Sequence, residues 1–253
     1  MDIVIIGSGN VAAVLGRKFK AAGHQIIQVY SRNASAASAL AYEWDTESTN
    51  YTSLINKDAD VYILAVSDDA IPKIAKELLL PGKVVAHTAA SVPKEALKEI
   101  SAHYGVFYPL QSLRKEMTSL PDVPVFYDGS DEKTRKTLES LARSIVVEKV
   151  TEAGDDARQK LHVAAVLVSN FTNHLYALAE DYCKKEGLDF RQLLPLVEET
   201  ALRLRNVSPK EVQTGPAVRQ DDQTIQKHLD ILKDHPQLQQ LYRQMTESIR
   251  LFQ

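Results

Sequence analysis

The 253 residues are 44% apolar, enough for one large or two modest domains with real cores. Thirty Lys and Arg against 33 Asp and Glu leave a formal net charge of -3, which excludes the basic field that nucleic-acid binding needs. No apolar run reaches transmembrane length, a strand opening at Asp2 leaves no room for a signal peptide, and a lone cysteine, Cys183, excludes an internal disulfide framework and fits a reducing cytoplasm.

Residues 3–6 form a short apolar run that reads as a buried strand and breaks into Gly7-Ser8-Gly9-Asn10-Val11-Ala12 before a helical pattern. This is the spacing of a dinucleotide-binding turn. Gly7 lets the chain turn out of the strand, Gly9 presents bare backbone to a pyrophosphate, and Ala12 lets helix and strand pack closely. The free N–H groups and dipole of the new helix favour phosphate, with Ser8, Asn10 and Val11 completing the loop. A tight strand-to-helix turn with no ligand is the alternative.

The helix is expected to end at residues 22–23, where Gly23 suits a left-handed cap. A second strand over 24–30 ends in Tyr30-Ser31-Arg32-Asn33. An Asp or Glu at this strand end would accept from both ribose hydroxyls and repel a 2'-phosphate. Ser31, Arg32 and Asn33 can instead donate to one, so the expected cofactor is NADP(H) rather than NAD(H), with a solvated loop arginine as the alternative. Residues 34–44 read as a helix, and 51–55 lead into the next element. The strand over 59–66 ends at Ser67-Asp68-Asp69, and since ligands sit outside strand carboxyl ends, Val66, Ser67 and Asp68 are expected to line the cofactor. Asp69-Ala70-Ile71-Pro72 equally fits a helix start, where the acids would serve as caps.

Residues 82–91 repeat the pattern of a strand followed by small residues, so that Thr88 or Ser91 can bond substrate or nicotinamide, and His87 is either structural or catalytic. A helix over 93–103, strands from 106 and over 124–127, an amphipathic helix over 131–144 and a last strand over 145–150 complete the series. Strands alternating with helices to about residue 150 predict a mostly parallel, doubly wound sheet.

Beyond residue 153 the apolar period becomes helical, with one long helix over 155–185 and further helices over 190–205, 224–233 and 236–252. At about 100° per residue, Asp155, His162, Ser169 and Asn173 fall in one polar stripe, with Asn170 roughly 80° away. Such a seam either meets another protein surface or faces a ligand. The loop Thr214-Gly215-Pro216-Ala217-Val218-Arg219-Gln220-Asp221-Asp222 offers Arg219 to a substrate carboxylate or phosphate, or to an ion pair with Asp221, while Asp221 or Asp222 can cap the next helix.

Taken together, Gly7 to Ala12, Leu64-Ala65-Val66-Ser67-Asp68, His87-Thr88, Tyr108-Pro109-Leu110-Gln111, Leu161-His162-x-Ala164-Ala165 with Ser169-Asn170-Phe171, and Thr214-Gly215-Pro216-Ala217-x-Arg219-x-Asp221 resemble a bacterial family of Rossmann-like proteins with a C-terminal domain of unknown function. That family is similar in layout to pyrroline-5-carboxylate reductase, the F420-dependent NADP reductases and the 6-phosphogluconate dehydrogenase group. The resemblance implies an NADP-type Rossmann domain over 1–152, a helical domain over 153–253 that dimerises, and a cleft between them. One departure stands out. The β-hydroxyacid dehydrogenases of the superfamily carry a catalytic Lys and an Asn one turn apart on the first long helix, whereas here Lys160 is followed one turn later by Ala164.

The expected activity is hydride transfer between NADP(H) and a small, anionic, polar imine, ketone or alcohol. His162 is the candidate for proton transfer, Asn170 and Asn173 orient the substrate, and Arg219 binds its anion. A homodimer through the helical domain is expected, with no metal, nucleic-acid or membrane partner. A catalytically inactive NADP-binding regulator or scaffold and a deazaflavin-dependent reductase are the alternatives.

Overall fold

The computed structural model describes residues 1–117, 119, 122–146 and 149–252. Its first part alternates strands and helices: β1 (Asp2–Ile6), α1 (Asn10–Ala21), β2 (Gln25–Tyr30), α2 (Ala34–Trp44), β3 (Glu47–Thr49), β4 (Val61–Leu64), α3 (Ile71–Glu77), β5 (Val84–His87), β6 (His103–Pro109), β7 (Val125–Gly129), α4 (Glu132–Ile145) and β8 (Val150–Glu152). The strands form one sheet in the order β3-β2-β1-β4-β5-β6-β7-β8. Among the described residues every pairing is parallel except β6 with β7.

The continuous apolar run of β1 follows from cover on both faces of the sheet. Ile3 and Ile5 join Phe19, Trp44 and Leu138 on one side, and Val4 and Ile6 join Leu64, Ile71 and Leu97 on the other. On the first side α1 lies against α2 so closely that a Cβ at Gly16 would come within 2.3 Å of the Trp44 ring. Gly23 ends α1 at φ +84°, the left-handed value expected of it.

Several expected elements take other forms. β3 pairs with β2 where no strand was expected, as an edge of three residues too short to show a period. No side-chain cap bond forms at the starts of the 3-10 turn Asp68–Ala70 or of α3, so Asp68 and Asp69 are not caps. In place of a helix over 93–103 there is a 3-10 turn, Lys94–Leu97, followed by irregular chain up to β6. Tertiary bonds override the local pattern there: Leu80 N donates to Ile100 O, and Ser101 Oγ donates to Lys83 O while accepting from His103 N. The expected last strand over 145–150 starts late, because Ile145 still belongs to α4; residues 147 and 148 lie outside those described.

The helical part comprises α5 (Asp155–Ala165), a π-helical stretch (Val166–Phe171), α6 (Thr172–Lys185), α7 (Leu194–Arg203), α8 (Asp222–Ile231) and α9 (Pro236–Leu251). The π stretch corrects the expectation of one regular helix, since 100° spacing does not run through it, and the polar stripe from Asp155 and His162 does not carry to Asn173. The chain divides into two compact units, Met1–Ser169 and Asn170–Gln253. Within the second, Asp221 caps α8 by accepting from Thr224 N and Oγ1, and His235 Nε2 lies 2.7 Å from Glu186 Oε1. No helix of the described residues is long and apolar enough to cross a membrane.

His87 closes β5 with no solvent exposure. Ala89 N donates to its Nδ1 at 3.2 Å and its Nε2 faces Pro93 O at 3.4 Å, a pattern that assigns the neutral Nε2–H tautomer. Burial, then the nearby Arg158 charge, lowers its pKa to about 4. Between that value and the ordinary 6.5 the unfolded chain binds a proton that the folded chain refuses, so stability falls as pH falls through this window. His87 alone should remove on the order of 3 kcal/mol between neutral pH and pH ~4. Urea melts of wild type and His87→Gln over that range check this, and the variant should show the shallower pH slope.

Candidate functional site

A pocket of about 340 Å³ opens at the carboxyl ends of β1, β2, β4 and β5, where the strand order reverses between β1 and β4. Its wall includes the turn from Gly7 through Gly9 to Val11, the β2 end Tyr30-Ser31-Arg32, Ala65-Val66-Ser67 after β4, and Thr88 after β5. Gly7 has φ +129°, and a Cβ on it would sit 2.1 Å from Ala65 O. Its N–H donates to Tyr30 O at 2.7 Å, which draws the turn down between β2 and β4. Gly9 is the N-cap of α1 and has open space where a Cβ would be. With no side-chain cap and no acid in the first turn, the positive end of α1 is left for an anion. This cradle fits the pyrophosphate of a dinucleotide.

At the β2 end Ser8 Oγ donates to Ser31 Oγ at 2.8 Å, and Ser31 Oγ accepts from Asn33 N at 3.2 Å, so the phosphate turn and the β2 loop hold one another. The Arg32 side chain is exposed beside them and lines the pocket. Asn33 and Asp68 do not line it. The Asn33 side-chain oxygen caps α2 by accepting from Ala36 N at 3.0 Å. Asn10 lines the pocket while its side chain accepts from Lys115 N at 3.1 Å. Thr88 N donates to Leu64 O at 3.1 Å and so extends the β4–β5 ladder to the pocket edge.

A second polar group forms beside β5 and β6. The Tyr108 hydroxyl, near the end of β6, lies 3.0 Å from Nδ1 of His162 on α5, with the two rings edge to face. Arg158, one turn before His162 and fully buried, donates from Nε to Ala90 O at 3.0 Å and from Nη2 to Val92 O and Asp155 Oδ1, both at 2.7 Å. Its Nη1 is buried with no hydrogen-bond partner among the described residues. Alongside, Lys94 Nζ pairs with the buried Asp128 at 2.6 Å. The loop after β5 is therefore anchored to the first turn of α5. The sequence assigned no role to either residue: Tyr108 entered only within a family motif, and Arg158 reads as a surface cation on a helix.

Lys160 is 76% exposed and pairs with Asp156 across one turn, so it takes no part in this group. Asn170, Asn173 and Arg219 belong to the second unit, and all three are exposed. Arg219 lies close enough to Asp221 to add its charge to the Thr224 hydrogen bonds that hold that carboxyl below its ordinary pKa. Cys183 is buried.

Comparison with known proteins gives these features a setting. Residues 2–91 match the family described as NADP oxidoreductase, coenzyme F420-dependent, and residues 123–249, just over half the chain, match the domain of unknown function DUF2520. A protein described as a candidate NADP oxidoreductase from Bacteroides fragilis is 37% identical, with 98% of this chain and 97% of that one covered and a TM-score of 0.90. The fold is shared by a reductive aminase from Aspergillus terreus, solved with NADPH and ethyl levulinate, at 15% identity, 98% and 94% coverage and a TM-score of 0.69. A pyrroline-5-carboxylate reductase from Streptococcus pyogenes shares it at 14% identity, 99% and 98% coverage and a TM-score of 0.67. A comparison with curated proteins gave no match. The chain belongs to the DUF2520 family, with an N-terminal Rossmann domain of the NADP oxidoreductase type.

Proposed function

We propose that this protein is an NADP(H)-dependent oxidoreductase acting on a small polar imine or ketone, or the matching amine or alcohol. Residues 1–152 serve as the nucleotide domain and 153–253 as the helical domain. The observation that carries the reading is that the glycine turn and the Ser31-Arg32 pair line one pocket. The backbone of residues 7–11 holds the pyrophosphate, and Ser31 and Arg32 hold the 2'-phosphate, with Asn33 at the edge. Val66, Ser67 and Thr88 line the path toward the nicotinamide, and Asp68 flanks it. When bound, the cofactor supplies or accepts the hydride. The chain orients the substrate, excludes water and manages one proton, with His162 in that last role, Asn170 and Asn173 as orienting groups and Arg219 as the anchor for an anionic substituent.

Two observations favour the C=N or C=O class over β-hydroxyacids. Lys160 is a surface ion-pair partner, and the proteins of shared fold include a reductive aminase and a pyrroline-5-carboxylate reductase. The lone, buried Cys183 suits work in a reducing cytoplasm.

We also propose that two copies associate through the helical domain. Large apolar side chains stand exposed there, among them Val168 at 74%, Leu196 at 64% and Phe171 at 57%. Among the described residues of the second unit the buried apolar ones are few: Cys183, Ala217, Ile225, Leu229 and Leu232. So much apolar surface marks an interaction site, and a second copy is the commonest partner.

Fluorescence titration should show NADPH binding more tightly than NADH. Arg32→Ala should weaken NADPH binding by roughly 10- to 100-fold, the worth of one charge-assisted phosphate contact, and leave NADH unchanged. Equal affinity of wild type for the two cofactors would refute the role of Arg32. Light scattering should give a particle of twice the 28.2 kDa chain mass. Val168→Glu should shift it toward the monomer, and a monomeric wild type at micromolar concentration would refute the pairing.

A further inference from the structure

We propose that Tyr108 is the group that hands a proton to the substrate, and that His162 recharges it; this rests on the oxidoreductase reading above. Tyr108 stands at the carboxyl end of β6, the sheet edge at which β5 delivers Thr88 to the nucleotide pocket. In the β5–β6 register His87 faces Val106. Tyr108, two residues further on, shares the Val106 face, one strand spacing of about 4.8 Å from β5. It packs with Ala90 and Val106, so its ring is fixed against the segment that follows Thr88 in the chain. Only its hydroxyl is polar, and it meets His162 Nδ1 at 3.0 Å.

The surroundings suit a proton donor. Tyr108 is 8% exposed, and burial raises its pKa, so the phenol stays protonated at neutral pH. The Arg158 charge acts in the opposite sense and favours a phenolate once one forms. Arg158 is held there by Ala90 O, Val92 O and Asp155. His162, only partly buried, can exchange protons with water. In a C=N substrate the proton and the electron pair move together. The carbon gains the hydride from NADPH and the π pair settles on nitrogen; the Tyr108 O–H bond breaks as the new N–H bond forms. The phenolate takes the Nδ1 proton of a His162 imidazolium, and the imidazole is reprotonated from solvent.

The test compares wild type, Tyr108→Phe and His162→Gln, with 2-methyl-1-pyrroline and pyruvate as probes. Tyr108→Phe should keep NADPH affinity and melting temperature within error while slowing single-turnover NADPH oxidation by about 100-fold or more, the usual worth of a general acid. His162→Gln should slow it less and flatten its pH profile. Nitrogen-15 spectra of the free protein supply a readout apart from turnover: the His162 Nδ1 resonance should shift in Tyr108→Phe. If Tyr108→Phe is unstable, 3,5-difluorotyrosine at that position should instead move the rate profile to lower pH. Wild-type turnover by Tyr108→Phe, or an unmoved Nδ1 resonance, overturns the proposal alone. A wild type that binds NADPH but oxidises it with neither probe overturns the oxidoreductase reading and this inference with it.

Discussion

No side chain fits at residue 7. A Cβ there would lie 2.1 Å from the Ala65 carbonyl oxygen, well inside contact distance, and the φ of +129° is one that L-residues rarely adopt. The close approach is what lets β1 give way to α1 in so few residues while Gly7 N bonds Tyr30 O on the other flank. The turn is wedged between β2 and β4, the neighbours of β1 in the sheet, so the start of α1 arrives where the strand order reverses. The phosphate-facing features depend on that wedge: the uncapped α1, the Ser8–Ser31 bond and the position of Arg32 are all placed relative to it.

The chain after β5 is held by charge. A buried guanidinium is costly unless its donors are met; Arg158 Nε and Nη2 bond two backbone carbonyls from the loop after β5 and one carboxylate of its own helix, while Nη1 has no partner among the described residues. The carbonyls of Ala90 and Val92 gain a partner by the same bonds, so a chain segment with no regular structure stays ordered. Lys94 adds a second tie through Asp128 on β7. His87, neutral and walled in, fills the space beneath without adding a like charge beside Arg158. The glycine turn holds one side of the sheet edge by shape, and the arginine holds the other by electrostatics.

What the sequence made legible was local chemistry. The β1 run, the Gly7-x-Gly9 spacing and the missing carboxylate after Tyr30 each express themselves within a few residues, and one pocket is lined by Gly7 to Val11, Ser31, Arg32, Val66, Ser67 and Thr88, though not by Asn33 or Asp68. Illegible were features set by distant partners. Residues 98–102 have helical character but give their backbone and Ser101 to Leu80, Lys83 and His103. The π stretch changes no residue type that a periodicity test would notice. Tyr108 meets its partner across 54 residues of chain, and nothing beside it in sequence signals the contact.

The facing of α5 decides which of its side chains reach the sheet edge. At about 100° per residue, Arg158 and His162 lie roughly 40° apart, and Asp155 roughly 60° from Arg158, so the three share one face. Lys160 is roughly 200° from either neighbour, on the opposite side of the helix. The contacts agree: Arg158 and His162 reach Ala90 and Tyr108, while Lys160 reaches only as far as the exposed Asp156. Turning Lys160 inward would rotate Arg158 out, leaving the β5 loop without its anchor and Tyr108 without its imidazole. The helix can present a lysine or the Arg158–His162 pair to the sheet edge, but not both, and its bonds to Ala90, Val92 and Tyr108 commit it to the pair.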